Sequence, residues 1–344
     1  MLPYEHGGDI YGGGEIRLDF SVNINPLGMP PGVKRAVAEH MGDYARYPDP
    51  HCRRLCAAIA RACSVPESSV LCGNGAADLL LRFCACLRPR RVLTLAPTFS
   101  EYARTAELFG GEVREHRLLE SQGFALTEAV LSDIAGIDAV FLCNPNNPTG
   151  QLAPLSLIRQ AAEECRKCGA LLLVDECFLD FTDGESAIPL LAEYPNLLIL
   201  RAFTKIYAMA GLRLGYLLCA DKELLSRIAV FGAPWSVSAP AQAAGPAALG
   251  TPGWIEETRR FVTEERVYLT RALAELGLAV LPGDANFLLI KSETPLHSPL
   301  RARGILVRAC DNFTGLNARF IRVGLKTHKE NEALICAMRE AIHG

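Results

Sequence analysis

No run of apolar residues in this 344-residue sequence approaches the roughly twenty that a membrane span requires, and the opening Met-Leu-Pro-Tyr-Glu-His shows no cationic stretch leading into an apolar core. These absences predict a cytoplasmic protein. Cations are not clustered beyond Arg88, Arg90 and Arg91, which read as a solvated turn, and the formal net charge is only -3. Nucleic acid and anionic membrane surfaces are therefore poor partners. No second CxxC accompanies Cys165 and Cys168, so a zinc site would lack half its ligands and no metal is expected. The thirteen cysteines, an odd number with several inside apolar runs such as Cys143 in AVFLC and Cys219 in GYLLC, read as reduced core thiols. Repeats and low-complexity segments are missing. The lone Gly73-Asn74-Gly75 lacks the full GxGxxG fingerprint, which disfavours a nicotinamide-dependent dehydrogenase.

What is present is a chain with 50% hydrophobic and 21% charged residues, long enough for more than one core. Short apolar runs recur between helical stretches: VLTLAP at 92–97, AVFLCNP at 139–145, LLLVDE at 171–176 and LLILRAF at 197–203. They are too continuous for half-exposed strands and predict a mainly parallel sheet covered on both faces. The spacing from Leu155 to Lys167 predicts a crossover helix stopped by Gly169. After Pro234 the texture changes to an Ala-rich stretch, then a long helix from Trp254 through Leu276. Short strands AVLP, NFLLIK, ILVRAC and FIRVGL follow, and a terminal helix has Leu334, Ile335, Met338 and Ile342 on one face. The expected division is an N-terminal arm with part of a small domain over 1–40, a large domain over 41–234, and a linking helix with a small C-terminal domain over 235–344.

In an open α/β sheet, ligands sit beyond the carboxyl ends of the strands. That rule gathers Gly73 to Gly75, Thr98 to Tyr102, Asn144 to Gly150, Asp175, Thr204 and Lys205 around one pocket. Asp175 closes an apolar strand, where a carboxylate is costly to bury without a cation or hydrogen-bond donor; a helix cap or structural ion pair is the alternative reading. Lys205 ends the next apolar run, where desolvation makes its amine a better nucleophile for an aldehyde; a snorkelling surface lysine is the alternative. Arg213, in AGLRLGY, can grip a phosphate while its glycines allow close approach. The Gly73-Asn74-Gly75 turn can offer backbone N–H groups to the same anion.

NPNNPTG at 144–150, VDECFLDF at 174–181 and TKIYAMAGLRLGY at 204–216, in that order and spacing, resemble the class I/II aminotransferase family. The likeness runs from HGG near the start to FIRVGL near the end. It implies an α/β protein of the fold type I pyridoxal phosphate (PLP) enzymes, with a mainly parallel central sheet in a large domain, a smaller α+β domain, and homodimeric assembly. It also implies PLP as cofactor, attached to Lys205, with Asp175 on the pyridine nitrogen, Asn147 on the ring hydroxyl oxygen and Tyr102 stacked on the ring. Lys205, Asp175 and Tyr102 are thereby the expected catalytic residues. Gly75, Ala76, Thr204 and Arg213 would hold the cofactor phosphate, with Tyr47 of RYPDP reaching it across the dimer interface; on residues alone, Tyr47 reads equally as an ordinary interface or core tyrosine. The chain departs from its relatives at Ala202, where a serine or threonine is common, so slightly altered phosphate binding is expected.

His6-Gly7-Gly8, followed by LDFSVNINPLGMP at 18–30, resembles the threonine-phosphate decarboxylase branch of that family. Histidinol-phosphate aminotransferases typically lack HGG and read closer to SNENPYG. The implied substrate is a phosphorylated amino acid, L-threonine O-3-phosphate, converted to (R)-1-amino-2-propanol O-2-phosphate for cobalamin biosynthesis. Its phosphate requires a second anion site, for which the resemblance implies His6, Gly7, Asn23, Asn147, Arg308 and Arg322. Without it, Arg308 and Arg322 read as exposed sheet arginines. Three alternatives stay open: L-serine O-phosphate decarboxylation, since one methyl group is worth only about 1–3 kcal/mol; histidinol-phosphate aminotransfer; and, in another class, a non-catalytic PLP-binding sensor.

Overall fold

The computed structural model describes residues 6–11 and 15–343; the first five residues of the expected arm and residues 12–14 lie outside them. In chain order its strands are β1 (Leu18–Asp19), β2 (Val70–Gly73), β3 (Arg91–Ala96), β4 (Glu112–Arg117), β5 (Ala139–Cys143), β6 (Leu171–Asp175), β7 (Leu197–Ala202) and β8 (Gly215–Cys219). Then come β9 (Ala279–Val280), β10 (Phe287–Lys291), β11 (Ile305–Leu306), β12 (Arg308–Ala309) and β13 (Phe320–Gly324). A seven-stranded sheet runs β2-β8-β7-β6-β5-β3-β4. Its pairs are parallel except those made by β8, which lies antiparallel to both β2 and β7.

The four apolar runs form β3, β5, β6 and β7, the inner parallel strands. β5 is buried at every residue because helices cover both faces of the sheet. One of those helices, Leu155–Cys168, turns Leu157, Ile158, Ala161, Ala162 and Cys165 into the core at helical spacing and stops at Gly169, whose φ of 71° suits the left-handed cap. β4, with the sequence EVREHR, gives no apolar signal because it is an edge strand, bonded only to β3 and alternately exposed.

Two expectations need correction. ILVRAC is two strands in two sheets: β11 pairs parallel with β1, and β12 pairs antiparallel with β13. The partner that pulls the chain apart there, Leu18–Asp19, lies nearly three hundred residues earlier, beyond any local pattern. Lys205 does not end a strand either, because β7 closes at Ala202 and Lys205 belongs to the short helix Phe203–Ile206.

The strand ends converge as the topology requires. Cys143 pairs with Asp175, Asp175 with Leu200, and Gly215 with both Ala202 and Gly73. The segments after β2, β3, β5, β6 and β7, and the one before β8, therefore share one edge. Gly215 permits one close approach there, since a Cβ on it would lie 2.7 Å from the backbone nitrogen of Ala76.

A buried ion-pair network braces this edge from below. Arg201 on β7 donates to Glu176 Oε2 and Asp180 Oδ1, each at 3.1 Å. Glu176, its side chain fully buried, also accepts from Ser186 Oγ and the Ala187 N–H. Arg201→Leu strands the Glu176 carboxylate and should lower stability by about 3–5 kcal/mol. A fall in thermal midpoint of roughly 4–7 °C checks this, and an unchanged midpoint would refute it. No helix among the described residues is long and apolar enough to cross a membrane.

Candidate active site

The shared edge opens into a cavity of ≈ 730 Å³. Lys205 lines it, from the helical turn that leaves β7. Burial pushes its amine down to about 8, with the positive charges of Arg322 and Arg213 adding to the effect and Cys177 and Asp175 opposing it. In cofactor-free protein about a tenth of these amines are neutral at pH 7 and about nine-tenths at pH 9. The rate at which added PLP is captured should therefore rise with pH and level off above a midpoint near 8. A midpoint near the 10.5 of an ordinary lysine would show that burial has no such effect.

Asp175, at the end of β6, is buried in the same cavity, and burial raises its carboxyl. Two donors hold it as an acceptor: Tyr102 OH reaches Oδ2 at 2.7 Å and the Cys177 N–H reaches Oδ1 at 2.9 Å. Tyr102 lines the cavity from the first turn of the helix Glu101–Leu108, its ring packed on Phe141 at 5.7 Å. Asn147 follows β5, and its Oδ1 accepts from Arg322 Nη1.

The helix Ala76–Leu87 begins at the cavity with Gly75 as its N-cap, and no side chain caps it. A helix N-terminus so placed is an anion site. Gly75 has φ of 84°, and a Cβ on it would lie 2.8 Å from Arg213 Nη2, so this glycine lets the guanidinium close on the turn. Ala76, Thr204 and Arg213 all line the cavity, as does Ala202. This donor set fits PLP: a buried amine of depressed basicity, a buried carboxylate, an amide side chain, and a helix N-terminus joined by a hydroxyl and a guanidinium.

The expected substrate residues come to the same cavity. Arg308 and Arg322 are direct partners across the β12–β13 pair, and both are buried, which overturns the exposed-sheet reading. Arg322 donates from Nη1 to Asn147 and from Nη2 to the Ser21 carbonyl at 2.7 Å, its Nε lacks a protein partner, and burial pushes it down to about 10. Arg308 donates to the Ala309 carbonyl and to Asn312 Oδ1, with its guanidinium 5.0 Å over the Phe313 ring. Asn23 contributes a buried Oδ1 without a hydrogen-bond partner. His6 and Gly7 complete the wall.

Tyr47 is the residue that its own chain does not bring to this cavity. It is 79% exposed, stacks on Trp235 at 4.4 Å and borders a separate surface hollow. Three contributors escape sequence reading: Ser21, whose carbonyl holds Arg322, the Cys177 N–H on Asp175, and Glu101, which meets His6 at 2.9 Å. The first two act through backbone atoms, which residue type does not report. Glu101 sits inside the Thr98 to Tyr102 stretch, but its partner is 95 positions away.

A family model described as aminotransferase class I and II matches residues 15–338. The threonine-phosphate decarboxylase of Salmonella typhimurium is 40% identical over 333 residues, covering 95% of this chain and 92% of that protein. The solved L-threonine-O-3-phosphate decarboxylase of Porphyromonas gingivalis superposes with a TM-score of 0.86 at 25% identity, covering 95% of this chain and all of that one. The histidinol-phosphate aminotransferase of Clostridium acetobutylicum gives a TM-score of 0.89 at 29% identity, over 94% of this chain and 99% of that one. The family match spans almost the entire sequence, and the chain belongs to the class I and II aminotransferase family.

Proposed function

We propose that this protein is a PLP-dependent carboxy-lyase that takes L-threonine O-3-phosphate and a proton to (R)-1-amino-2-propanol O-2-phosphate and carbon dioxide, as a step toward cobalamin. The observation that carries this reading is the meeting, in one cavity, of Lys205 and Asp175 with the buried arginines Arg308 and Arg322 and with His6. One pair of groups suits a cofactor, and the other three suit a substrate with two anionic ends. The 40% identity to the Salmonella typhimurium decarboxylase supports the choice.

Lys205 would hold the cofactor covalently, Asp175 its pyridine nitrogen, Asn147 its ring hydroxyl oxygen and Tyr102 its ring face. Gly75, Ala76, Thr204 and Arg213 would hold its phosphate. Bound there, PLP supplies an electron sink for the bond broken at the substrate α-carbon. Arg308 and Arg322 bind the substrate carboxylate and phosphate by charge-assisted hydrogen bonds, with His6, Gly7 and Asn23 closing on the phosphorylated end. Anchoring that end fixes which α-carbon bond is aligned for cleavage. The Lys205 amine would also hold, at Nζ, the proton that replaces the departing carboxylate.

We also assign the protein to the cytoplasm as a homodimer in which Tyr47 of the partner subunit reaches the cofactor phosphate. The exposure of Tyr47, together with exposed Met41, Val230, Phe231 and Trp235, supports that assembly. The domain division near residues 40 and 234 is supported by the central sheet, whose strands lie between Val70 and Cys219.

Product analysis with phosphothreonine, phosphoserine and histidinol phosphate tests the reading. Carbon dioxide and aminopropanol phosphate should come from the first at the highest kcat/KM. Faster amino transfer from histidinol phosphate to a keto acid would overturn it.

A further inference from the structure

Glu101 lines the cavity beside the N-terminal segment. It opens the helix Glu101–Leu108 yet is only 8% exposed. Both carboxylate oxygens are engaged: Oε1 meets His6 Nε2 at 2.9 Å, and Oε2 accepts from Arg104 Nη1 at 2.8 Å. The hydrogen bond from His6, ahead of an opposing effect of burial, holds this carboxyl below its usual range.

His6 reaches Glu101 because the two following glycines let the segment lie against Ser21. A Cβ on Gly7 would fall 2.2 Å from the Ser21 carbonyl oxygen, and Gly8 has φ of 93°. The Gly8 N–H donates to Ser21 Oγ at 2.7 Å, and Asp19 Oδ1 fixes Ser21 by accepting from its backbone N–H at 2.8 Å and its hydroxyl at 2.5 Å. The Ser21 carbonyl in turn accepts from Arg322. The segment is thus pinned at Gly8 to Ser21, which also holds Arg322, and at His6 to Glu101, with the imidazole 5.8 Å from the Phe99 ring.

We propose that Glu101 is a positioning residue for substrate: it seats the His6 imidazole on the cavity wall, where His6 closes on the phosphorylated end, and it acts only through His6. The proposal rests on the phosphorylated-substrate reading above. A carboxylate by itself opposes an incoming anion, but here His6 and Arg104 occupy both of its oxygens. What it supplies is preorganisation, because an imidazole already seated loses less freedom when substrate binds.

The test is a double-mutant cycle with Glu101→Ala, His6→Ala and the pair, together with hydrogen–deuterium exchange of the substrate-free holoenzyme. Glu101→Ala should speed exchange at Gly8 and across residues 6–11. It should raise KM about tenfold with kcat within about threefold, whereas in the His6→Ala background the same change should move KM less than about twofold. Glu101→Gln, which keeps an acceptor for Nε2, should recover most of the loss. Unchanged exchange in Glu101→Ala, or an equal rise in KM with and without His6, overturns the proposal. The broader reading fails separately, through the products of the unsubstituted protein. If that protein turns over phosphoserine or histidinol phosphate instead, the cycle is run with that substrate and judged by the same criteria.

Discussion

With Lys205 replaced by alanine, turnover falls at least about 10⁴-fold, and borohydride treatment no longer leaves a phosphopyridoxyl mass on the peptide that contains position 205. Two functions vanish together. The covalent attachment of the cofactor is lost, and so is the amine that holds the proton destined for the α-carbon. Lys205→Arg should be as inactive as the alanine variant, because a guanidinium stays protonated where the lysine, at about 8, has about a tenth of its amines neutral at pH 7 and more above it. Since the side chain ends in the cavity, neither change should unfold the protein, and far-UV circular dichroism separates loss of function from loss of fold. Turnover within tenfold of the unsubstituted protein, or the phosphopyridoxyl mass on another lysine, would contradict the assignment.

Replacing Arg322 with glutamine should lower kcat/KM by about 10²–10³-fold, the range expected when one partner of a buried charge-assisted pair is removed. The effect has two sources. The substrate anion loses a guanidinium, and the groups that Arg322 now satisfies, Asn147 Oδ1 and the Ser21 carbonyl, lose their donors. Arg322→Lys keeps the charge but not the fork and should fall between the two. A second readout is independent of substrate. Arg322 is a positive neighbour that lowers the basicity of Lys205, so its removal moves the Lys205 midpoint up from about 8, and cofactor capture by the substituted apoprotein should shift to higher pH. An unshifted midpoint would mean that the two side chains do not share the cavity electrostatically.

The sheet was legible because its inner strands are buried on both faces, and burial on both faces writes continuous apolar runs such as AVFLC and LLLV into the chain. The candidate cofactor residues were legible for a related reason, since Asp175 closes a run free of charge and Lys205 follows one whose only charge is Arg201. Where geometry depends on distant chain segments, the sequence is silent. Leu18–Asp19 divides ILVRAC between two sheets, the Ser21 carbonyl orients an arginine 301 positions later, and Glu101 looks like any acid in a first helical turn until His6 is set against it. β4 was hidden by being an edge, where polar residues are favoured. Tyr47 is a different case, because it lies away from the cavity of its own chain, so any contact it made with a cofactor there would have to come across a subunit interface.

The most direct measurement of the central claim is release of label from carboxyl-labelled L-threonine O-3-phosphate by the holoenzyme with no keto acid present. A decarboxylase needs no amino acceptor, so the account predicts labelled carbon dioxide in steady release over many turnovers, matched mole for mole by aminopropanol phosphate. If the protein is instead an aminotransferase, reaction stops after about one equivalent per active site, the label stays in the organic product, and turnover resumes only when a keto acid is added. That second result would contradict the account.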